Sequence, residues 1–329
     1  MNRILSLLVV GVLTISFLAG RRLRVGPKSS LLRAGRLGYS PRNPHPWDPE
    51  KRRASLRHLR LYVLFLLVIA AVCVTYPAAL TATDEPNLSK EQIKQFLLTA
   101  KVVGSHQSKK GVTNTSRLTL SDGTLTHDAS FQPVDEHERV KHLADGRTEM
   151  NFVDSYKYNI AAYALAELVA FDDMMPVYVE RKVEGHPGSL SWWLSVKMDD
   201  AERMRQKIEP PDKDAWNKQM YKIRVFDELV YDGDPNLTNV LIGENWQLWR
   251  IDFSRAFREF KELQNPKDLV RCDRQLFEKL KALNADQLTE KTRQYLSKDE
   301  IKAVMARRDK IVAYFQKLIG EKGEGEVLY

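Results

Sequence analysis

The chain has 329 residues, with 51 Lys and Arg against 43 Asp and Glu. That length accommodates a membrane-targeting region plus one two-lobed domain, or two small domains. The positive excess is confined to the start: residues 1–60 hold 13 basic and 2 acidic side chains, and the rest hold 38 and 41. A body without its own basic face is not a nucleic-acid binder. Only Cys73 and Cys272 occur, which excludes a disulfide scaffold and a cysteine-ligated zinc site. Cys272, in VRCDRQLFEKL at a helix start, reads as a plain buried cysteine rather than a nucleophile.

Two uncharged runs lie near the N-terminus, at residues 4–20 and 61–83. A spanning helix needs about 20 apolar residues, and the second run meets that. The segment between them is rich in Arg, so the positive-inside rule keeps it cytoplasmic and puts the residues after 83 on the far side. The same run also reads as a signal-peptide core, with small residues near Ala82 for cleavage and Leu80 a poor match to that signal. On that reading residues 1–50 precede the true start. Either way, an exported or membrane-anchored domain is expected. Its divisions are a basic region over 1–60, a membrane or signal segment over 61–83, a strand-rich lobe over 84–196 and a helical lobe over 197–329.

Ser89 with Gln92 makes a capping-box pattern, and Ile93, Phe96 and Leu97 continue at helical spacing. Residues 102–134 are rich in Val, Thr and Ser and are broken by Gly111 and by Asp122-Gly123. They predict strands joined by turns, with SDGT a hairpin signal. Gly104, Gly111 and Gly123 do not have the spacing of a dinucleotide-binding fingerprint. His137, Glu138 and His142 look at first like a zinc-protease motif. The histidines are five apart, though, and a helix would put them about 140° apart, on different faces.

Residues 154–170 predict a helix with Ile160, Tyr163, Ala164, Glu167 and Leu168 on one broad face. The run MMPVYVERKVEGHPGSLSWWL predicts two strands around Gly185 to Gly188. Ser189 through Trp193 would line either an adenine pocket or a core. After Pro210-Pro211, DKDAWNKQMYKIRVFDELVYD is a long amphipathic helix. From about Pro266 the chain is helical, with Ser297 and Glu300 capping the last long helix, and the residues from Gly320 to Tyr329 read as a loose tail. No internal repeat is present.

Between these blocks lies YDGDPNLTNVLIGENWQLWRIDFSRAF, residues 231–257. Asp234 and Asn239 have D-x4-N spacing, and a β-hairpin then leads to Asp252. Phosphoryl transfer needs such a set: a carboxylate to orient the attacking hydroxyl, and an amide oxygen and second carboxylate to hold Mg²⁺ against phosphate oxygens. The bland alternative is a turn at Asp234 and Asn236 with Asp252 capping a loop.

In DPNLTN and IDFSRAF the chain resembles the atypical kinase-like superfamily: phosphatidylinositol 3- and 4-kinases, Hip-type toxin kinases and secretory-pathway casein kinases. Their catalytic loop is D-R-x-x-x-N, and a following strand ends in I-D-x-S-x-A-F or similar. DSYKYNIAAYALAELVAFDDMMPVYVER resembles their helix and following strand, roughly E-[VI]-A-A-[YF]…L…[VM]-P…V-x-R. The likeness covers about residues 100–260. It implies an α+β, two-lobed protein-kinase-like fold that uses ATP and Mg²⁺. It also implies Asp234 as catalytic aspartate, Asn239 and Asp252 as metal ligands, and GVTNTSRLTL, which starts at Gly111, as the phosphate-covering turn of the small lobe.

Three departures stand out. The family's Lys near the end of the third strand is Gln132 here, its helix Glu falls at Asn159, and the Arg after the catalytic Asp is Pro235. Losing Lys and Glu together strands no buried charge. Lys109, Lys110, Arg117 and Arg181 are substitute cations, and Glu149 and Glu167 substitute acids, each with a surface-charge alternative. Three functions follow: a Mg²⁺-dependent phosphotransferase of unknown acceptor, a pseudokinase binding module at the cell envelope, or a structural envelope protein.

Overall fold

The computed structural model describes residues 88–107, 115–143, 146–234 and 236–329. The apolar runs at 4–20 and 61–83, and Lys109, Lys110, Gly111 and Pro235, lie outside the described residues. Among the described residues no helix is long and apolar enough to cross a membrane.

Helix α1 (Lys90–Thr99) starts on the expected reciprocal cap: Ser89 Oγ accepts from the Gln92 amide, and Gln92 Oε1 accepts from the Ser89 amide. Five antiparallel strands follow, interrupted by a separate hairpin and a helix. They are β1 (Lys101–Gln107), β2 (Ser116–Ser121), β3 (Thr126–Gln132), β6 (Tyr178–Val183) and β7 (His186–Trp192), in spatial order β1-β2-β3-β7-β6. Turns set the register. Asp122 Oδ1 accepts from the amides of Thr124 and Leu125 around Gly123 at φ 93°. Glu184 and Gly185 both take positive φ between β6 and β7.

Alternation gives this sheet two chemically different faces. Leu118, Leu120, Ala129, Phe131, Leu190 and Trp192 are buried on one face, where Phe96 and Leu97 of α1 pack over them. Arg181 belongs to this side. Its guanidinium donates to the carbonyls of Leu97 and Ala100 at 2.7 Å each, closing the end of α1. It is therefore a helix cap and not a substitute phosphate cation. The opposite face is polar, with Arg117, Thr119, Asp128, Ser130, Gln132, Ser189 and Ser191 brought into line by cross-strand register.

The hairpin β4 (Asp135–His142) and β5 (Thr148–Ser155) forms its own two-stranded sheet and leads directly into α2 (Tyr156–Val169). Its charged sequence gave no strand signal. His137 and His142 sit on β4, five residues apart and so on opposite faces. They bond Asp135 and Thr148 respectively, so no zinc pair forms. Ser155 caps α2, and Ala170 in the left-handed region ends it.

The rest is mainly helical. β8 (Met198–Asp199) and α3 (Asp200–Gln206) precede the long α4 (Lys213–Val230), which Asp212 caps and Tyr231 ends at φ 52°. The hairpin β9 (Val240–Ile242) and β10 (Leu248–Arg250) joins β8 in a three-stranded sheet, ordered β10-β9-β8. Helices α5 (Arg274–Ala282), α6 (Ala285–Thr292), α7 (Lys298–Lys322) and α8 (Glu324–Val327) complete the chain. The C-terminus is not a loose tail. Val327 and Leu328 are buried, the Cys272 amide donates to the Val327 carbonyl, and the Tyr329 hydroxyl reaches the Lys218 carbonyl. Three apolar residues at the end found a groove beside Cys272, and their burial outweighs the polar, glycine-containing stretch before them.

Candidate functional site

Asp252 follows β10 at φ 58°, a left-handed conformation that costs a non-glycine residue on the order of 1–3 kcal/mol unless its surroundings impose it. Here they do. The Ile251 amide donates to the Asn239 carbonyl at 3.0 Å. The backbone of Asp252 itself bonds the Tyr178 hydroxyl, which Ser191 also contacts. The Phe253 amide donates to Asn159 Oδ1 at 2.7 Å. Three consecutive residues are thus held from the residue just before β9, from β6 and from α2. Burial, with the charge of Asp252 next in weight, drives the Tyr178 phenol upward, so it stays a neutral hydrogen-bonding group.

Gln132 and Asn159 do meet. Asn159, fully buried on α2, donates through Nδ2 to Gln132 Oε1 at 2.6 Å, with Ser189 Oγ at 3.4 Å on the same nitrogen. Gln132 Nε2 in turn faces Asp252 Oδ1 at 3.4 Å. A neutral amide pair occupies the place where the resemblance puts a charged one. One member reaches the aspartate that follows the hairpin and the other accepts from the next amide, Phe253. Gly188 on β7 makes this approach tight: a Cβ there would lie 2.5 Å from the Phe131 ring and 2.7 Å from the Gln132 carbonyl.

Asp234 and Asn239 lie in the segment that links α4 to β9. Asn236 Oδ1 accepts from the Thr238 amide, and residues 237–239 form one 3₁₀ turn. Asn239 is thereby placed against Ile251, next to Asp252, with its side chain half-buried. The Asp234 amide donates to Asp232 Oδ1 at 3.1 Å, and the Asp234 side chain is half-buried.

Asp232 belongs to a feature that the sequence motifs did not expose. Arg250, 1 % exposed, bonds Asp232, which is equally buried, and Asp227 of α4 at 3.1 Å. It also donates to the carbonyls of Ile251 at 2.5 Å and Asn239 at 3.4 Å. Burial pushes the Asp227 carboxyl up to about 7 against the pull of Arg250, and the Asp232 carboxyl moves the same way. One guanidinium thus ties both ends of the D-x4-N loop and the strand entering Asp252 into one unit. The only sequence sign was an Arg in an otherwise apolar strand.

The other substitute groups are engaged elsewhere. Arg117 shares the polar sheet face with Gln132, but Nε bonds Asp128 at 2.7 Å and the guanidinium lies 4.3 Å from the Trp193 ring centroid. Trp192 is core, edge-on to Phe96 and stacked on His127. Glu149 binds Arg255 and Arg258, and Glu167 binds Lys94, so neither serves Gln132. A surface depression lined by Arg203, Lys207, Lys213 and Trp216 contains none of the site residues.

Asp154, at the end of β5, is a further residue that the sequence reading did not single out. Burial raises its carboxyl, Ser254 hydrogen-bonds it, and the charge of Asp252 raises it further. Its Oδ1 is buried and has no hydrogen-bond partner. An ion held in this neighbourhood would take the Asp252 carboxylate, the Asn239 amide oxygen and this orphaned oxygen. All are hard oxygens, which suits Mg²⁺ rather than a soft metal. Among the described residues no three Asp, Glu, His or Cys side chains converge as a metal cluster, so such an ion would complete its shell with phosphate and water.

No family model matches the chain, and no curated protein matches it. Solved structures do. One described as hydra Fam20 with sugar is 15 % identical, with 74 % of this chain and 93 % of that chain covered and a TM-score of 0.53. The Helicobacter pylori proinflammatory kinase CtkA is 8 % identical, with 68 % and 97 % covered and a TM-score of 0.44. The likeness to Fam20 gives this chain an atypical kinase-like fold, a strand-rich part followed by a helical part.

Proposed function

We propose that the chain is a Mg²⁺-dependent phosphotransferase of the atypical kinase type, moving a phosphoryl group from ATP to an acceptor hydroxyl. The observation that carries this reading is the clamped, left-handed Asp252 beside Asn239. A loop that merely capped a turn would not need its backbone fixed at three successive residues. Bound Mg²⁺ would neutralise charge developing on the phosphate oxygens.

The roles of the chain's own groups follow. The Asp234 carboxylate orients the acceptor hydroxyl and takes its proton. Asn239 Oδ1 and the Asp252 carboxylate hold the metal. Gln132 and Asn159 keep Asp252 in place. The segment from Gly111 would cover the phosphates, as the resemblance implies, with Lys110 a substitute cation beside it. The N-terminal apolar run anchors or exports the domain to the non-cytoplasmic side.

A specific observation favours the second reading, a pseudokinase binding module. The Gln132–Asn159 pair is neutral, and Arg117 is already committed to Asp128 and Trp193. Calorimetric titration of the full chain with ATP, with and without Mg²⁺, separates the outcomes when Asp252→Ala runs in parallel with an assay for ATP turnover. Metal-dependent binding and turnover, both lost in the variant, support the phosphotransferase. Metal-dependent binding without turnover supports the binding module. No binding to either folded protein overturns both.

A further inference from the structure

Burying a carboxylate oxygen without a partner is costly, and native folds rarely do it without a reason. Asp154 does so at a suggestive place. Its side chain belongs to a residue 7 % exposed, and Oδ1 has neither solvent nor a hydrogen bond. The Ser155 amide donates to the Ser254 carbonyl at 2.8 Å, stitching the end of β5 to the segment just after Asp252. Asp154 on β5 and Asp252 just beyond β10 are thereby brought into one neighbourhood, where the charge of Asp252 acts on Asp154. The cation that acts on Asp154 is Arg255, whose Nη2 is bonded to Glu149 and whose buried Nε, like Asp154 Oδ1, has no hydrogen-bond partner. Glu136, on the neighbouring strand, is taken by Lys141.

We infer that Asp154 is an additional divalent-cation ligand of this site, its orphaned Oδ1 completing with Asp252 and Asn239 the protein's share of the coordination shell. The inference rests on the Mg²⁺ reading above and deepens it. It explains why β4 and β5 lead straight into α2: the hairpin delivers a carboxylate to the metal side of the neutral Gln132–Asn159 pair. That adds negative charge where the usual Lys is absent, so the metal, not a side chain, balances the phosphates. Without an ion, the same carboxylate repels Asp252 and weakens the fold.

Mn²⁺ is the probe. Its binding to the full chain, followed by electron paramagnetic resonance, is compared in wild type, Asp154→Asn and Asp252→Asn, and denaturant midpoints are taken in EDTA and in Mn²⁺. The expected result is a loss of about tenfold or more in Mn²⁺ affinity for Asp154→Asn. Its midpoint should rise in EDTA and lose the metal-dependent gain. Unchanged Mn²⁺ affinity overturns the inference. So does a lowered EDTA midpoint with the metal gain intact, which would make Asp154 a structural partner of Arg255. Mg²⁺-dependent ATP binding, measured alongside, separates the two readings. If that binding needs Asp252 while Mn²⁺ ignores Asp154, only this inference falls. If neither ion nor nucleotide binds, both fall.

Discussion

Restoring the charged pair is the sharpest perturbation of this site. Gln132→Lys places an ammonium where the amide nitrogen now lies 3.4 Å from Asp252 Oδ1. The new cation finds a carboxylate, but Asn159 Nδ2 loses its 2.6 Å acceptor, a cost of about 1–3 kcal/mol. Asn159→Glu is harsher. The position is fully buried, and an uncompensated charge there costs about 3–5 kcal/mol, before any added strain from the extra methylene. The new carboxylate also faces Asp252 across Gln132. In the double variant each charge supplies the other's partner, so the cost should fall below the sum of the singles by about 2–3 kcal/mol.

Urea unfolding at constant slope measures this cycle, and Mg²⁺-dependent ATP affinity provides an independent readout. Total stability is about 5–15 kcal/mol for a domain, so Asn159→Glu consumes a large share and is best measured cold, near the stability maximum. The double variant should bind Mg²⁺–ATP more tightly than wild type, because a cation then faces the phosphates. Additivity within about 0.5 kcal/mol would refute the claim that the two positions form one interacting pair.

Four more predictions follow from the packing. Gly188→Ala should cost about 1–3 kcal/mol by denaturant midpoint and weaken nucleotide binding, because the Gln132 carbonyl at 2.7 Å is backbone and cannot step aside. Arg250→Met should destabilise by about 3–5 kcal/mol, since it leaves Asp227 and Asp232 without their cation. The pH dependence has a definite sign. The Asp227 pKa is raised in the folded state, so its contribution is fully present below the unfolded carboxyl range and is lost as pH rises through about 7. Removing the guanidinium widens that shift, so the variant should lose stability more steeply than wild type from pH 5 to 8. Cys272 is buried and its thiol is pushed up by burial. In a Cys73→Ser background a thiol reagent should leave it untouched, and deleting residues 327–329, which pack on it, should make it react.

Local signals in the sequence were readable where local physics sets the outcome. The caps at Ser89 and Ser297, the Asp122-Gly123 turn and the long amphipathic α4 are fixed within a few residues of chain, and each forms as the sequence implies. The β4–β5 hairpin was silent because DEHERVKH is almost wholly exposed and alternates nothing. The C-terminal segment was misread because glycine-rich context outweighs three apolar residues in any local rule. At the site, Gln132 and Asn159 were found through the family pattern they break, while Tyr178 and Asp154 had no such flag. Their partners lie far away in sequence: 94 residues separate Asn159 from the Phe253 amide it accepts.

Arg250 shows how a broken motif can be repaired from elsewhere. The resemblance expects an Arg directly after Asp234, and the chain has Pro235 there. Proline removes a donor and fixes one dihedral angle, so the residue itself can stiffen the loop but cannot anchor it. The anchor comes instead from the second hairpin strand, where Arg250 grips Asp232 before the loop and the Asn239 carbonyl at its end. Because β10 leads directly into Ile251 and Asp252, the same guanidinium ties the loop that carries Asp234 to the segment that carries Asp252. A charge inside the strand thus does the anchoring that a charge inside the loop would otherwise do. On this logic a Pro235→Arg change would restore the motif without restoring any function, because the carboxylates it would seek are already held.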